Sequence, residues 1–219
     1  KGELDEAIAS YREVIRLEKL AVVVYMDLGN ALGLNGQIQE SISSYMEARL
    51  ISNNFCWVLL GLGEALYANG KLGEAITAYR DAIRLKNELD FRSNSQSSRY
   101  PRFHIRLGSA LHALGQLDEA SISFQEALRS FEQPSHPKKM EHHDTDIEDQ
   151  LLMAQFFSNC PIAKFRDIPR AVSLAQQVME MRPQEWLVSR TLGLCYYRLG
   201  NWQSAVEALE KSIEFRRGG

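Results

Sequence analysis

The densest gathering of chemistry-bearing side chains lies in "SHPKKMEHHDTDIEDQL", residues 135–151, where His136, His142, His143, Asp144 and Asp146 carry atoms able to ligate a divalent metal. Ligation needs a scaffold that converges those atoms on one point, and adjacent histidines in a proline-bounded polar loop have none. The stretch reads as a polar linker, and neither a metal nor a cofactor is expected. "GLGEAL" at 61–66 has two glycines of a dinucleotide-binding turn, but it lacks the third and falls mid-helix instead of after a strand. No GxSxG, Walker lysine or HExxH pattern occurs. Acidic residues such as Asp118, Glu119 and Glu207 fall on outward helical phases, where solvent and i,i+4 partners satisfy them. Cys56, Cys160 and Cys195 are odd in number and lack CxxC spacing. They read as reduced thiols of a cytoplasmic protein, with Cys195 in a packing phase beside Leu194. No enzyme is expected.

The bulk composition excludes further classes. With 219 residues, 45% hydrophobic and 24% charged, and a net charge of −3, the chain has no overall field that would draw nucleic acid or an anionic membrane. No apolar run approaches the roughly 20 residues that span a bilayer, and the N-terminal "KGELDEAIASY" has no signal-peptide core. Arg92, Arg99, Arg102 and Arg106 cluster around a Ser/Asn-rich stretch, but such a local cluster is not the basic stripe that RNA-binding repeats need.

The residues that do carry a signal are glycines. Gly2, Gly36 and Gly70 are 34 residues apart, Gly115 follows after 45, Arg166 holds the same slot after 51, and Gly200 comes 34 later. A fixed period of this size marks stacked helical hairpins. Before each turn stands a Leu-Gly pair: Leu28-Gly29, Leu62-Gly63, Leu107-Gly108 and Leu192-Gly193. After it come a small residue (Ala7, Ser41, Ala75, Ala120, Ala171, Ala205) and, four on, usually a bulky one (Tyr11, Tyr45, Tyr79, Phe124, Ala175, Leu209). Spacings of three and four place these on one helix face. Each mid-helix glycine costs about 1 kcal/mol of helix propensity, so four at one phase imply close helix approach.

This pattern resembles the tetratricopeptide repeat. The resemblance implies an all-α fold, an α-α superhelix of about five and a half helical hairpins. The partial repeat is 1–21, followed by repeats at 22–55, 56–89 and 101–134, with an insertion at 90–100. The polar linker at 135–151 precedes two further repeats at 152–185 and 186–219. The repeat at 152–185 departs most, since Pro161 must end or kink its first helix near Asn159.

In that family the first helices line a concave groove that takes a peptide or helix. Carried over by position, the groove residues are Val23, Met26 and Asn30; Trp57, Leu60, Glu64 and Tyr67; Arg102, Ile105, Ser109 and His112; and Arg190, Leu194 and Tyr197. Most are apolar or aromatic, which suits an amphipathic or hydrophobic segment, with Trp57, Tyr67 and Tyr197 as anchors. Relatives that clamp chaperone C-terminal carboxylates use Lys, Asn and Arg at these phases. Here only Asn30 fits, and Glu64 opposes a carboxylate. The expectation is a non-catalytic interaction scaffold in the cytoplasm. The alternative is the regulatory or docking arm of a larger enzyme, such as a bacterial Ser/Thr protein kinase. Val206, Leu209 and Ile213 on the last helix are core-type, so a third reading is self-association through uncapped ends.

Overall fold

A computed structural model of the chain describes residues 2–18, 21–92, 100–132 and 143–218, the side chains of 143–146 and 217–218 excepted. Eleven α-helices appear among the described residues. They are α1 (Gly2–Leu17), α2 (Val22–Leu34), α3 (Ile38–Ile51), α4 (Cys56–Ala68), α5 (Leu72–Arg92), α6 (Pro101–Ala113), α7 (Leu117–Glu132), α8 (His143–Asn159), α9 (Ile168–Met181), α10 (Trp186–Arg198) and α11 (Trp202–Gly218). They form two compact units, residues 1–127 and 128–219. In unit 1 each helix packs on the next, from α1 through α6, and α4 also touches α2 as well as α6. In unit 2 the sequential pairs run from α8 to α11, and α8 also touches α10.

The turn glycines behave as their spacing predicts at four positions. Gly36, Gly70, Gly115 and Gly200 have φ of 81°, 77°, 85° and 76°, a left-handed backbone that side-chain-bearing residues avoid. The chain closes around each in the same way. After α2, the Gly36 N–H bonds the Gly33 carbonyl and the Gln37 N–H bonds the Leu32 carbonyl, at 3.1 and 2.9 Å. That is the paired closure of a helix C-terminus on a glycine, and it reverses the chain in three residues. Gly2, by contrast, is the first residue of α1 and makes no turn.

Inside each hairpin, the Leu-Gly glycine receives a side chain from the second helix. A Cβ added at Gly29 would stand 2.8 Å from the Tyr45 ring, at Gly63 2.5 Å from Tyr79, at Gly108 2.6 Å from Phe124, and at Gly193 2.7 Å from Leu209. Real Cβ atoms do not approach this closely, so the missing methyl is what lets the ring lie on the helix backbone. Tyr45 is clasped on its other side by Gly61 of the following helix. Ser41, the one polar residue in the small-residue slot, donates to the Gly29 carbonyl at 2.7 Å and so satisfies its buried hydroxyl.

The structure departs from the sequence reading at three places. Residues 143–151, assigned to the polar linker, form the first half of α8, because Ile147, Leu151 and Ala154 recur at helical spacing and join a core with Ala175, Val178 and Val188. Residues 90–92 of the first insertion continue α5, which reaches 21 residues. Arg166 does not replace a turn glycine: it is extended (φ −80°, ψ 126°), and the reversal is spread over a longer segment. There Pro161 follows the end of α8 at Asn159, Ala163–Phe165 form one 3-10 turn, and the Asp167 carboxylate accepts the Arg170 N–H at 3.0 Å to cap α9.

Two glycine substitutions separate packing from propensity. Gly63→Ala adds helix propensity but drives a methyl into Tyr79, and it is expected to destabilise unit 1 by about 1–3 kcal/mol. Gly73→Ala, in the first turn of α5 with open space around it, is expected to stabilise by up to about 1 kcal/mol. Urea unfolding followed by circular dichroism distinguishes the two signs.

Candidate binding face

The first helices of unit 1 carry eleven of the fourteen expected groove residues, and because α4 touches both α2 and α6 they share one face. Their surroundings differ. Val23 is exposed and Met26 half-buried on α2. Asn30 is already engaged, its Oδ1 accepting the Tyr45 hydroxyl proton at 2.5 Å. Burial pushes the Tyr45 hydroxyl pKa well up, so it stays a donor. Leu60 and Ile105, only 3% and 7% exposed, belong to the packing between helices and offer a partner nothing. That corrects their placement as binding residues. On α6, Arg102 and His112 are half-buried, and Ser109 turns its hydroxyl back to the Ile105 carbonyl at 2.8 Å.

Glu64 is not a free negative charge. Its carboxylate accepts from Arg106 Nε at 2.6 Å, which ties α4 to α6 across the face. The pair is about two-fifths exposed on each side, so its contribution is about 1 kcal/mol at most, but it neutralises the middle of the face.

The aromatic content is concentrated at the start of α4 and α6. Trp57 is 42% exposed. Its ring meets Phe103 at 5.1 Å, tilted, and Tyr100 at 5.9 Å, edge to face, while Tyr100 and Phe103 lie 5.7 Å apart. The Lys86 ammonium sits 4.1 Å over the Tyr100 ring and bonds the Asp90 carboxylate. Such contacts fix ring orientation and add cation–π attraction. Sequence reasoning missed Tyr100 and Phe103, and it named Arg106 only as part of a local arginine cluster. The signal for the first two was "RYPRF", where Pro101 at the first turn of α6 sets the flanking rings. Tyr67, also exposed, lies at the far end of α4.

Arg190, Leu194 and Tyr197 lie on α10 in unit 2 and are described with that unit. Arg190 is exposed, Leu194 half-buried, and Tyr197 exposed with its ring 5.1 Å from Trp202, edge to face.

Among the described residues no cluster of three His, Cys, Asp or Glu could hold a metal; His136 and His142, and the side chains of His143, Asp144 and Asp146, lie outside them. A cleft of about 660 Å³ opens between α5, α6 and α7, with Ile83, Phe91, Leu107 and Ile122 among its walls. His104 also lines it, and burial holds that imidazole below its ordinary pKa against the opposing charge of Glu126. All three cysteines are free and buried. Burial raises each thiol pKa, that of Cys195 to about 11 despite a hydrogen bond with Ser158 and the charge of Arg198. A raised thiol pKa leaves less thiolate at any working pH, the reverse of an activated nucleophile. At pH 8 the three thiols are expected to react with a disulfide reagent at least about tenfold more slowly in the native chain than in denaturant. Rapid reaction of a native thiol would contradict this.

No curated protein sequence matches the chain. A solved structure of a thermophilic tetratricopeptide repeat protein from Thermus thermophilus aligns with a TM-score of 0.60 at 16% identity, over 88% of this chain and 91% of that one. The structure of BtubC from P. vanneervenii aligns with a TM-score of 0.54 at 14% identity, over 99% of this chain and 89% of that one. At these identities the likeness concerns the fold. The sequence profile of the tetratricopeptide repeat matches residues 60–137 and 163–219, more than half the chain. With the glycine turns and helical hairpins described above, this chain belongs to the tetratricopeptide repeat family.

Proposed function

We propose that this chain is a non-catalytic interaction scaffold of the cytoplasm whose first helices in unit 1 grip a peptide or amphipathic helix from a partner protein. The tetratricopeptide repeat is a protein–protein interaction module and is generally non-catalytic. No helix among the described residues is long and apolar enough to cross a membrane.

The observation that carries the reading is Trp57, two-fifths exposed yet held by Tyr100 and Phe103. A braced aromatic loses little rotamer freedom when a partner covers it, which is why such residues dominate binding hot spots. Val23 and Tyr67 extend the apolar surface along the same face. The Glu64–Arg106 pair and the engaged Asn30 do not make a cluster of cations that would receive a terminal carboxylate, so the expected ligand is an internal apolar segment.

Peptides selected from a displayed library by the intact chain test this. They are expected to bind the Trp57→Ala/Tyr67→Ala variant at least about tenfold more weakly, with helicity unchanged by circular dichroism. Equal affinity for both proteins would remove the face from consideration.

A further inference from the structure

The second helix of the repeat at 56–89 overruns its own pattern. α3 ends at Ile51, and the repeat equivalent of Ile51 on α5 is Leu85, yet α5 runs on to Arg92. That is about two further turns of helix. They carry Lys86 and, one turn later, Asp90, whose carboxylate accepts from the Lys86 ammonium. The two side chains are only 14% and 11% exposed. Taking both charges out of water offsets much of what their attraction returns, so such a pair is a poor source of stability. What it supplies is direction.

The direction is toward Tyr100. The Lys86 ammonium stands 4.1 Å from the centroid of that ring and also donates to its hydroxyl. Burial works against the charge, but the bonds to Asp90 and Tyr100 outweigh it and hold the ammonium above its ordinary pKa. A cation over a ring face favours one setting of the ring. The pair also lies close to the start of α4, since the Cys56 thiol, next to Trp57, feels the charges of both Lys86 and Asp90.

The two rings that brace Trp57 are themselves held in different ways. Phe103 is fixed by the core, being 1% exposed. Tyr100 is half-buried and precedes the first turn of α6. Its carbonyl accepts the Phe103 N–H at 3.2 Å, which ties the backbone and leaves the side chain to its neighbours. Among these, Lys86 comes from a different helix and is locked in turn by Asp90.

We infer that Lys86 is a positioning residue of the candidate binding face: carried by the overrun of α5 and aimed by Asp90, it sets the Tyr100 ring, which holds Trp57 ready for a partner. The inference rests on the reading of Trp57 as the anchor of that face. Lys86 acts without touching the partner, by reducing the freedom that the indole loses on binding.

The test reads ring position and binding separately. The full chain has three tryptophans, so its 15N-labelled form shows three indole N–H resonances, and Trp57→Phe identifies that of Trp57. Lys86→Met/Asp90→Leu removes both charges together, so that neither is stranded. It is expected to move the Trp57 resonance and leave those of Trp186 and Trp202 in place. The same variant is expected to bind a peptide selected by the intact chain from a displayed library at least about fivefold more weakly, with helicity unchanged. Lys86→Arg, which keeps the cation and the reach to Asp90, is expected to retain both readouts of the unsubstituted chain. In a Tyr100→Ala background the pair substitution is expected to change neither, because the link through the ring is already cut. An unmoved Trp57 resonance, or an effect that persists without Tyr100, would overturn the inference. Binding that falls for Trp57→Ala/Tyr67→Ala but not for the pair variant would overturn it and leave the binding face standing. Binding that falls for neither would remove the face, and the inference with it.

Discussion

Everything else in this molecule rests on a side chain lying against a helix that has no side chain at that point. In three hairpins a Tyr or Phe ring of the second helix sits on a glycine of the first, and in a fourth a leucine does. The contact fixes how near the two helices come, and with it which residues of each are buried. A glycine inside a helix gives up about 1 kcal/mol relative to alanine, which is less than the burial of a whole aromatic side chain returns. The trade holds only if the ring arrives at the right height, which the tight glycine turn ensures by reversing the chain in three residues.

Function in this architecture lives on what the hairpins leave uncovered. Hairpin packing consumes the Leu-Gly positions and the small residues four before the ring, so first-helix residues on the other phases are released to the face. Their fates then depend on neighbouring helices. Trp57 keeps part of its surface because Phe103 and Tyr100 support it from the side, while Leu60, one turn further along α4, is closed off. Glu64 and Arg106 cross between first helices and leave that part of the face neutral.

Much of this was legible in the residues, for identifiable reasons. Turn glycines and Leu-Gly pairs are local devices repeated at a fixed period, so spacing alone pointed to helical hairpins at Gly36, Gly70, Gly115 and Gly200. What periodicity does not convey is cover. Leu60 and Ile105 lie on nearly the helical phase of Trp57, yet they are 3% and 7% exposed against its 42%, a difference that packing against neighbouring helices sets. The start of α8 was hidden because Ile147 is the one apolar residue in the charged stretch 143–150 that precedes Leu151. The break after Asn159 was visible in Pro161, but the 3-10 turn and the Asp167 cap that rebuild the reversal leave only a faint mark in the sequence.

The most direct test of the ring-on-glycine constraint is the effect of Gly63→Ala measured a second time, in a Tyr79→Ala background, by urea unfolding. With the ring removed, the added methyl has room and only the propensity gain remains, so the substitution should turn from destabilising to stabilising by up to about 1 kcal/mol. An equal cost in both backgrounds would show that the glycine serves something other than the approach of Tyr79, and the account of how these hairpins close would fail.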